Sequence, residues 1–152
     1  MFSFGANFTE VWVDKDTGMY RIKRMVNVGS AGKILNPKTA YGQIIGGLTM
    51  GAGMVIAERT QVEPNYGNFI TRTLADYHVP VNLDLANIDV IFLPEEDKIA
   101  NEMGIKGIGE LGITSVAASI ANAIFNATGK RMRDLPITPE KLIEAGLEPG
   151  VA

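Results

Sequence analysis

With 152 residues, 46% hydrophobic and 20% charged, the chain can bury the core of one globular domain and is too short for two. The 14 basic and 17 acidic residues leave a formal net charge of −3, which excludes the broad cationic surface of a non-specific nucleic-acid binder. Without cysteine and with a single histidine, the chain cannot build an iron–sulfur cluster, a thiolate zinc site or a disulfide framework, so a metal must arrive inside a cofactor or with a partner.

The N-terminal "MFSFGANFTEV" lacks the charged region and long apolar stretch of a signal peptide. "FTEVWVDKDTGMYRIKRMVNV" reads as an antiparallel hairpin: Val11 and Val13 alternate with polar neighbours, Asp16-Thr17-Gly18 turns the chain, and Tyr20, Ile22 and Met25 to Val28 resume extended structure. Trp12 and Phe8 on the first strand read as core. "GSAGKILNPKTAYGQ" is a Gly-rich loop ending in Asn36-Pro37, an N-cap followed by proline at the first helical position.

A helix from about Lys38 to Glu58 follows, with Tyr41, Ile44, Ile45, Leu48, Ala52, Val55 and Ile56 on its apolar face. The segment from Ala40 to Ala57 carries no charge and approaches the length of a membrane span, but Tyr41, Gln43, Thr49 and five glycines make a buried helix the better reading. Those glycines, at 42, 46, 47, 51 and 53, cost about 1 kcal/mol each relative to alanine. Close approach of another backbone or of a bulky ligand is the usual offset. Gln43 is out of place on such a helix, so it either faces solvent or hydrogen-bonds something specific.

Beyond the helix, the pattern predicts a strand around Arg59 to Val62, a turn at Pro64-Asn65-Tyr66-Gly67, an irregular stretch "RTLADYHVP" and a strand "IDVIFLP". His78 reads as a packed loop residue, since no second histidine completes a metal site. "EEDKIANEM" is a polar connection. Ile113, Val116, Ala117, Ile120 and Ile124 mark a second helix closed by Gly129, with Phe125 read as core. A short helix from about Pro139 to Ala145 ends the pattern. The elements describe an α+β fold of antiparallel hairpins and short strands packed with two main helices, in a single domain over residues 1–152.

Between the last strand and the second helix lies "KGIGELG". Gly107, Gly109 and Gly112 satisfy G-x-G-x-x-G, and Asp134 falls 22 residues after the last glycine. A dinucleotide fold needs the glycines to close directly off a strand and the helix to return to a parallel strand; here polar residues precede the loop and "RDLPITP" follows the helix. "GSAGK" is no Walker loop either, because two residues rather than four precede Gly-Lys and Ile34 follows Lys33. It remains an ordinary loop or a backbone-amide cradle for another phosphate. Glu110, a carboxylate among glycines ahead of a helix, is either a general base kept ionised by the helix N-terminus or a solvated loop glutamate.

Four segments, "GKILNPKTAYGQIIGG", "LADYHVPVN", "KGIGELG" and "ANAIFNATGKRMRDLPITPEKL", together resemble the C-terminal part of the molybdenum-binding large subunit of the xanthine dehydrogenase and aldehyde oxidase family. They keep the family's order from about Phe4 to Leu142. The resemblance implies part of a molybdopterin-binding domain in a molybdenum hydroxylase, which transfers a Mo–OH oxygen to an electron-poor carbon of an aldehyde or aromatic heterocycle. Hydride passes to a Mo=S sulfur, and electrons leave through iron–sulfur and FAD subunits or domains. The family's motif glutamate, which deprotonates the Mo–OH group, falls on Glu110. The resemblance assigns cofactor contacts to Gln43, Gly42, Gly46, Gly47, Lys106, Gly107 and Gly109, with Gln43 buried against the pterin, which in bacterial relatives often carries a cytosine dinucleotide.

The sequence departs from the family at Ser30, where many relatives have aspartate, at Met50, where several have a second glutamine, and at Leu111, where proline or serine is common. The family's large subunit is far longer, so the implied partners include the remaining domains of the molybdenum subunit. The chain alone is expected to hold no cofactor or metal, to be inactive and to self-associate through exposed surfaces. Neither nucleic acid nor membrane is an implied partner. The implied compartment is the cytoplasm, or the periplasm for an exported complex. A non-catalytic binding or assembly module retaining the fold is the alternative.

Overall fold

The computed structural model describes residues 2–147. The hairpin forms as its turn chemistry dictates: β1 (Phe4–Val13) pairs antiparallel with β2 (Tyr20–Ser30), and Gly18 takes a φ of 70° in the connection. A bulge between Glu10 and Val11 lets both Lys23 and Arg24 face out while Ile22 and Met25 stay buried.

The helix α1 (Pro37–Ile56) begins where its cap predicts, with the Asn36 side chain accepting from the backbone N–H groups of Lys38 and Thr39. β3 (Ile88–Phe92) then pairs with β2 in parallel, Met25 opposite Ile88 and Gly29 opposite Phe92. The hairpin is antiparallel as expected, and β3 adds a parallel partner to it. The long crossover through α1 returns the chain to the end from which β2 set out, which is the connection a parallel pair requires.

The strand expected at Arg59 to Val62 does not form; Val62 and Phe69 make one isolated bridge around the turn at Pro64 to Gly67. α2 (Val116–Thr128) starts later than its apolar spacing suggests, because residues 110–115 form turns. Its end is as expected: Gly129 has a φ of 69° and its N–H returns to Phe125 O. α3 (Pro139–Glu144) closes the described chain. Among the described residues no helix is long and apolar enough to cross a membrane.

Both long helices pack on one face of the sheet, and Ile22, Met25, Ile44, Leu48, Val55, Val116, Ile120 and Ile124 interlock between them. Tyr20 crosses this core to donate from its hydroxyl to Ile137 O at 3.0 Å, and burial pushes its pKa up. Among the described residues, nothing covers the other sheet face. Phe4, Phe8 and Trp12 lie 62%, 61% and 52% exposed on alternate positions of β1, with Ile91 exposed on β3. Phe8 and Trp12 are therefore not core, because the strand's period of two turns them away from the helices. Phe125 also lies at the surface, where the Arg131 guanidinium sits 3.8 Å from its ring centroid. His78 is exposed rather than packed.

Candidate functional site

The Gly-rich loop after β2, the first turns of α1 and the Lys106–Gly109 stretch enclose an open groove of about 470 Å³. Its walls include Ala31, Lys33, Asn36, Thr39, Gln43 and Gly109. The groove exists because the two loops are stitched together. Lys33 N donates to Gly104 O at 2.8 Å, Lys106 N donates to Ala31 O at 3.0 Å, and Gly32 bridges Ile105. Gly32 N also donates to Glu95 Oε2 at 3.2 Å, so the amides of Gly32 and Lys33 are occupied within the chain rather than left open as a phosphate cradle.

Gln43 reaches across the groove, its Nε2 donating to Gly109 O at 2.8 Å. This specific partner accounts for an amide on a glycine-rich helix. The residue is nonetheless exposed, so the burial expected of it is not provided by the described residues. Gly42 and Gly46 flank it on α1, and a Cβ at either would meet nothing within 4 Å. Gly47 behaves differently: a Cβ there would lie 3.0 Å from Ile113 N and 3.1 Å from the Gly112 backbone. Gly51 similarly admits Val116, and Gly112 admits the Ile44 carbonyl, each at a distance a Cβ could not tolerate. The glycines of α1 thus divide. Those at 47 and 51 let α2 and its preceding turn approach the helix closely, while those at 42 and 46 leave bare backbone beside Gln43.

Glu110 sits exposed at the loop's far end, three residues beyond Gly107. Its backbone oxygen accepts from Ile113 N at 3.2 Å and from the Thr114 hydroxyl at 3.1 Å, which fixes the turn leading into α2. Next to it, Leu111 seats its side chain over Gly5 and Gly29 of the hairpin, where added Cβ atoms would lie 3.4 and 2.9 Å from its methyl carbons. Asn7 carries the support further, donating to Ser115 Oγ at 2.7 Å while accepting from Asn27 Nδ2 at 2.6 Å. The Ser3 hydroxyl bonds Gly107 O.

The ammonium of Lys106 does not open onto the groove. Its side chain is 6% exposed, and Nζ bonds Glu95 Oε1 and lies 3.2 Å from Asp97 Oδ2. Glu95 accepts from the Ser30 hydroxyl through its second oxygen. The Lys106 ammonium, followed by the Ser30 hydroxyl, holds the Glu95 pKa down at about 2. The same pairing raises that of Lys106. Burial works against the charged form of Asp97, but hydrogen bonds from Lys106 and the amide of Ala100 overcome it and leave its carboxyl below the usual range.

The structure brings Gln43, Lys106 and Gly109 to one groove, puts Glu110 on the same loop, and separates Gly47 from them. Sequence reading misses Glu95, Asp97 and the Asn7–Asn27 pair. A lone lysine in a glycine-rich loop that becomes buried must find carboxylates, and "EED" at 95–97 is the acidic run just upstream.

Residues 1–86 match the family model of the molybdopterin cofactor-binding domain. The chain is 48% identical over 142 residues to the aldehyde oxidoreductase molybdenum-binding subunit PaoC of Escherichia coli, covering 93% of this chain and 19% of that protein. It is 37% identical to the putative xanthine dehydrogenase molybdenum-binding subunit XdhA of the same organism, with the same coverage. The aldehyde oxidoreductase from Desulfovibrio desulfuricans superposes with a TM-score of 0.83 at 33% identity, covering 94% of this chain and 15% of that one. The chain thus spans about a fifth of the length of the curated relatives it matches. On this match, over more than half of its residues, the chain belongs to the molybdopterin cofactor-binding domain family, in the line of the aldehyde oxidoreductase and xanthine dehydrogenase molybdenum-binding subunits.

Proposed function

We propose that this chain is the molybdopterin-binding segment of a molybdenum hydroxylase acting on aldehydes or N-heterocycles, with Glu110 as general base. The observation that carries the reading is the Gln43–Gly109 hydrogen bond, which ties the glycine-rich helix to the loop bearing Glu110 across one groove.

The residues fit a bulky planar cofactor. Gly42 and Gly46 leave helix backbone open to any group laid against it, and the groove falls within the ordinary size range of cofactor sites. Gln43 and the Gly107–Gly109 backbone would hold the pterin, with Gly47 and Lys106 supporting it from within the fold. When bound, molybdenum supplies the two-electron redox chemistry and acidifies the oxygen to be transferred.

The task left to this chain is proton transfer. A carboxylate is a sufficient base for an oxygen nucleophile that a bound metal would acidify. Glu110 accepts that proton on a carboxylate oxygen, and the turn into α2 and the seating of Leu111 keep it in place.

The remaining domains of the molybdenum subunit would cover the bare sheet face of Phe4, Phe8, Trp12 and Ile91. Iron–sulfur and FAD subunits or domains would carry the electrons away, and the compartment is that of the assembled complex. Isolated, the chain would be inactive, and the same face would drive self-association. Metal and nucleotide analysis of the complete enzyme tests the cofactor assignment: molybdenum with pterin, carrying cytosine dinucleotide in a bacterial-type enzyme, is the expected result. A complex purified without molybdenum or pterin, yet fully active, would overturn it.

A further inference from the structure

Glu110 rides on a short arc, Gly107 to Leu111, whose backbone is tethered at single points, Gly107 O by the Ser3 hydroxyl and Gly109 O by Gln43 Nε2. Cβ atoms built at Gly107 and Gly109 would meet nothing within 4 Å. The arc's two ends are each anchored more firmly. On one side Leu111 rests on Gly5 and Gly29. On the other is Lys106, whose side chain is 6% exposed against 28% for Glu95 and 10% for Asp97.

This second anchor joins three distant segments. Glu95 receives the Lys106 ammonium on one oxygen, and the Ser30 hydroxyl and Gly32 amide on the other, so it spans the end of β2 and the start of the arc. Asp97 contributes the second carboxylate while its Oδ1 accepts from the amides of Ile99 and Ala100 at 3.1 Å each. A buried ammonium deprived of a carboxylate moves toward water or another partner, because an uncompensated buried charge is costly. Only Gly107, Ile108 and Gly109 lie between that ammonium's residue and Glu110.

Resting on the reading of Glu110 as base, we infer that Glu95 is a positioning residue for Glu110, acting through Lys106. Glu95 takes no part in the proton transfer; it holds the arc in register.

The test uses the complete molybdenum enzyme. Glu95→Gln keeps an acceptor for Ser30 and Gly32 but removes the charge facing Lys106. It should lower kcat about 10- to 100-fold, the cost of misplacing a reacting group by the order of an ångström, with KM little changed. Hydrogen exchange of the amides from Lys106 to Gly112 should rise at the same time. Combined with Glu110→Gln, it should lower kcat no further, because the group it positions is already gone.

Should Glu95→Gln fail to assemble, Ser30→Ala leaves all three charges in place and removes one bond to Glu95. Its kcat should fall by about 2- to 10-fold, as expected for one net hydrogen bond. Unchanged kcat and exchange in these variants would overturn the inference. So would an equal loss in the presence and absence of the Glu110 carboxylate, which would show action by another route. Glu110→Gln by itself separates the two levels: if it keeps full turnover, the base reading fails and the inference with it. If it is dead while Glu95→Gln and Ser30→Ala are normal, only the inference fails.

Discussion

Gln43 Nε2 and Gly109 O lie 2.8 Å apart, although 66 residues separate them in the chain. The bond couples the exposed face of α1 to the loop that carries Glu110, so one side chain serves both the groove and the loop. Gln43→Ala in the complete enzyme should reduce molybdenum occupancy by about 2- to 10-fold, the scale of one net hydrogen bond. Metal analysis of the purified complex checks this, and unchanged occupancy would remove Gln43 from the cofactor contacts.

The glycines of α1 should separate under substitution. Gly42→Ala and Gly46→Ala meet open space and remove a helix-breaking residue, so each should stabilise the fold by up to about 1 kcal/mol. If that bare backbone is where the pterin rests, the same variants should lower molybdenum content. Gly51→Ala would set a Cβ 2.6 Å from Val116 Cβ, and overpacking of this kind costs about 1–3 kcal/mol. Thermal unfolding and metal content, measured on the same preparations, distinguish the two classes.

The ion cluster around Lys106 predicts a pH response. The Glu95 pKa is held at about 2 in the folded chain against an ordinary 4.5. Its contribution to stability is therefore complete above about pH 4.5 and is lost as pH falls toward 2. Denaturant unfolding across that window should show a steeper fall for the parent enzyme than for Glu95→Gln. Parallel curves would mean that the carboxylate is not tied to Lys106 in solution.

Where local chemistry decides, the sequence is readable. Asn36-Pro37 starts α1 because an amide side chain can cap two free N–H groups, and Gly129 ends α2 because it takes a left-handed φ. Glu110 and Gln43 stand out because a carboxylate among glycines and an amide on an apolar helix each need a reason. Features set by pairing across the chain are hidden. Nothing local tells Ile88–Phe92 to run parallel to β2, and nothing near Glu95 names Lys106 as its partner. Phe8 and Trp12 mislead for the same reason. Their hydrophobicity fits a core, but which sheet face the helices cover is decided elsewhere, and these aromatics lie on the other.

The central claim is that Glu110 is the base, and the most direct measurement is steady-state turnover of Glu110→Gln in the complete enzyme with molybdenum quantified in the same sample. The substitution preserves size and changes only the group that can accept a proton. Full molybdenum content with kcat reduced by about 10²- to 10⁴-fold is the expected result, the range for loss of a general base. Full molybdenum content with near-parental kcat would contradict the assignment and leave the chain as a cofactor-binding module without a catalytic group.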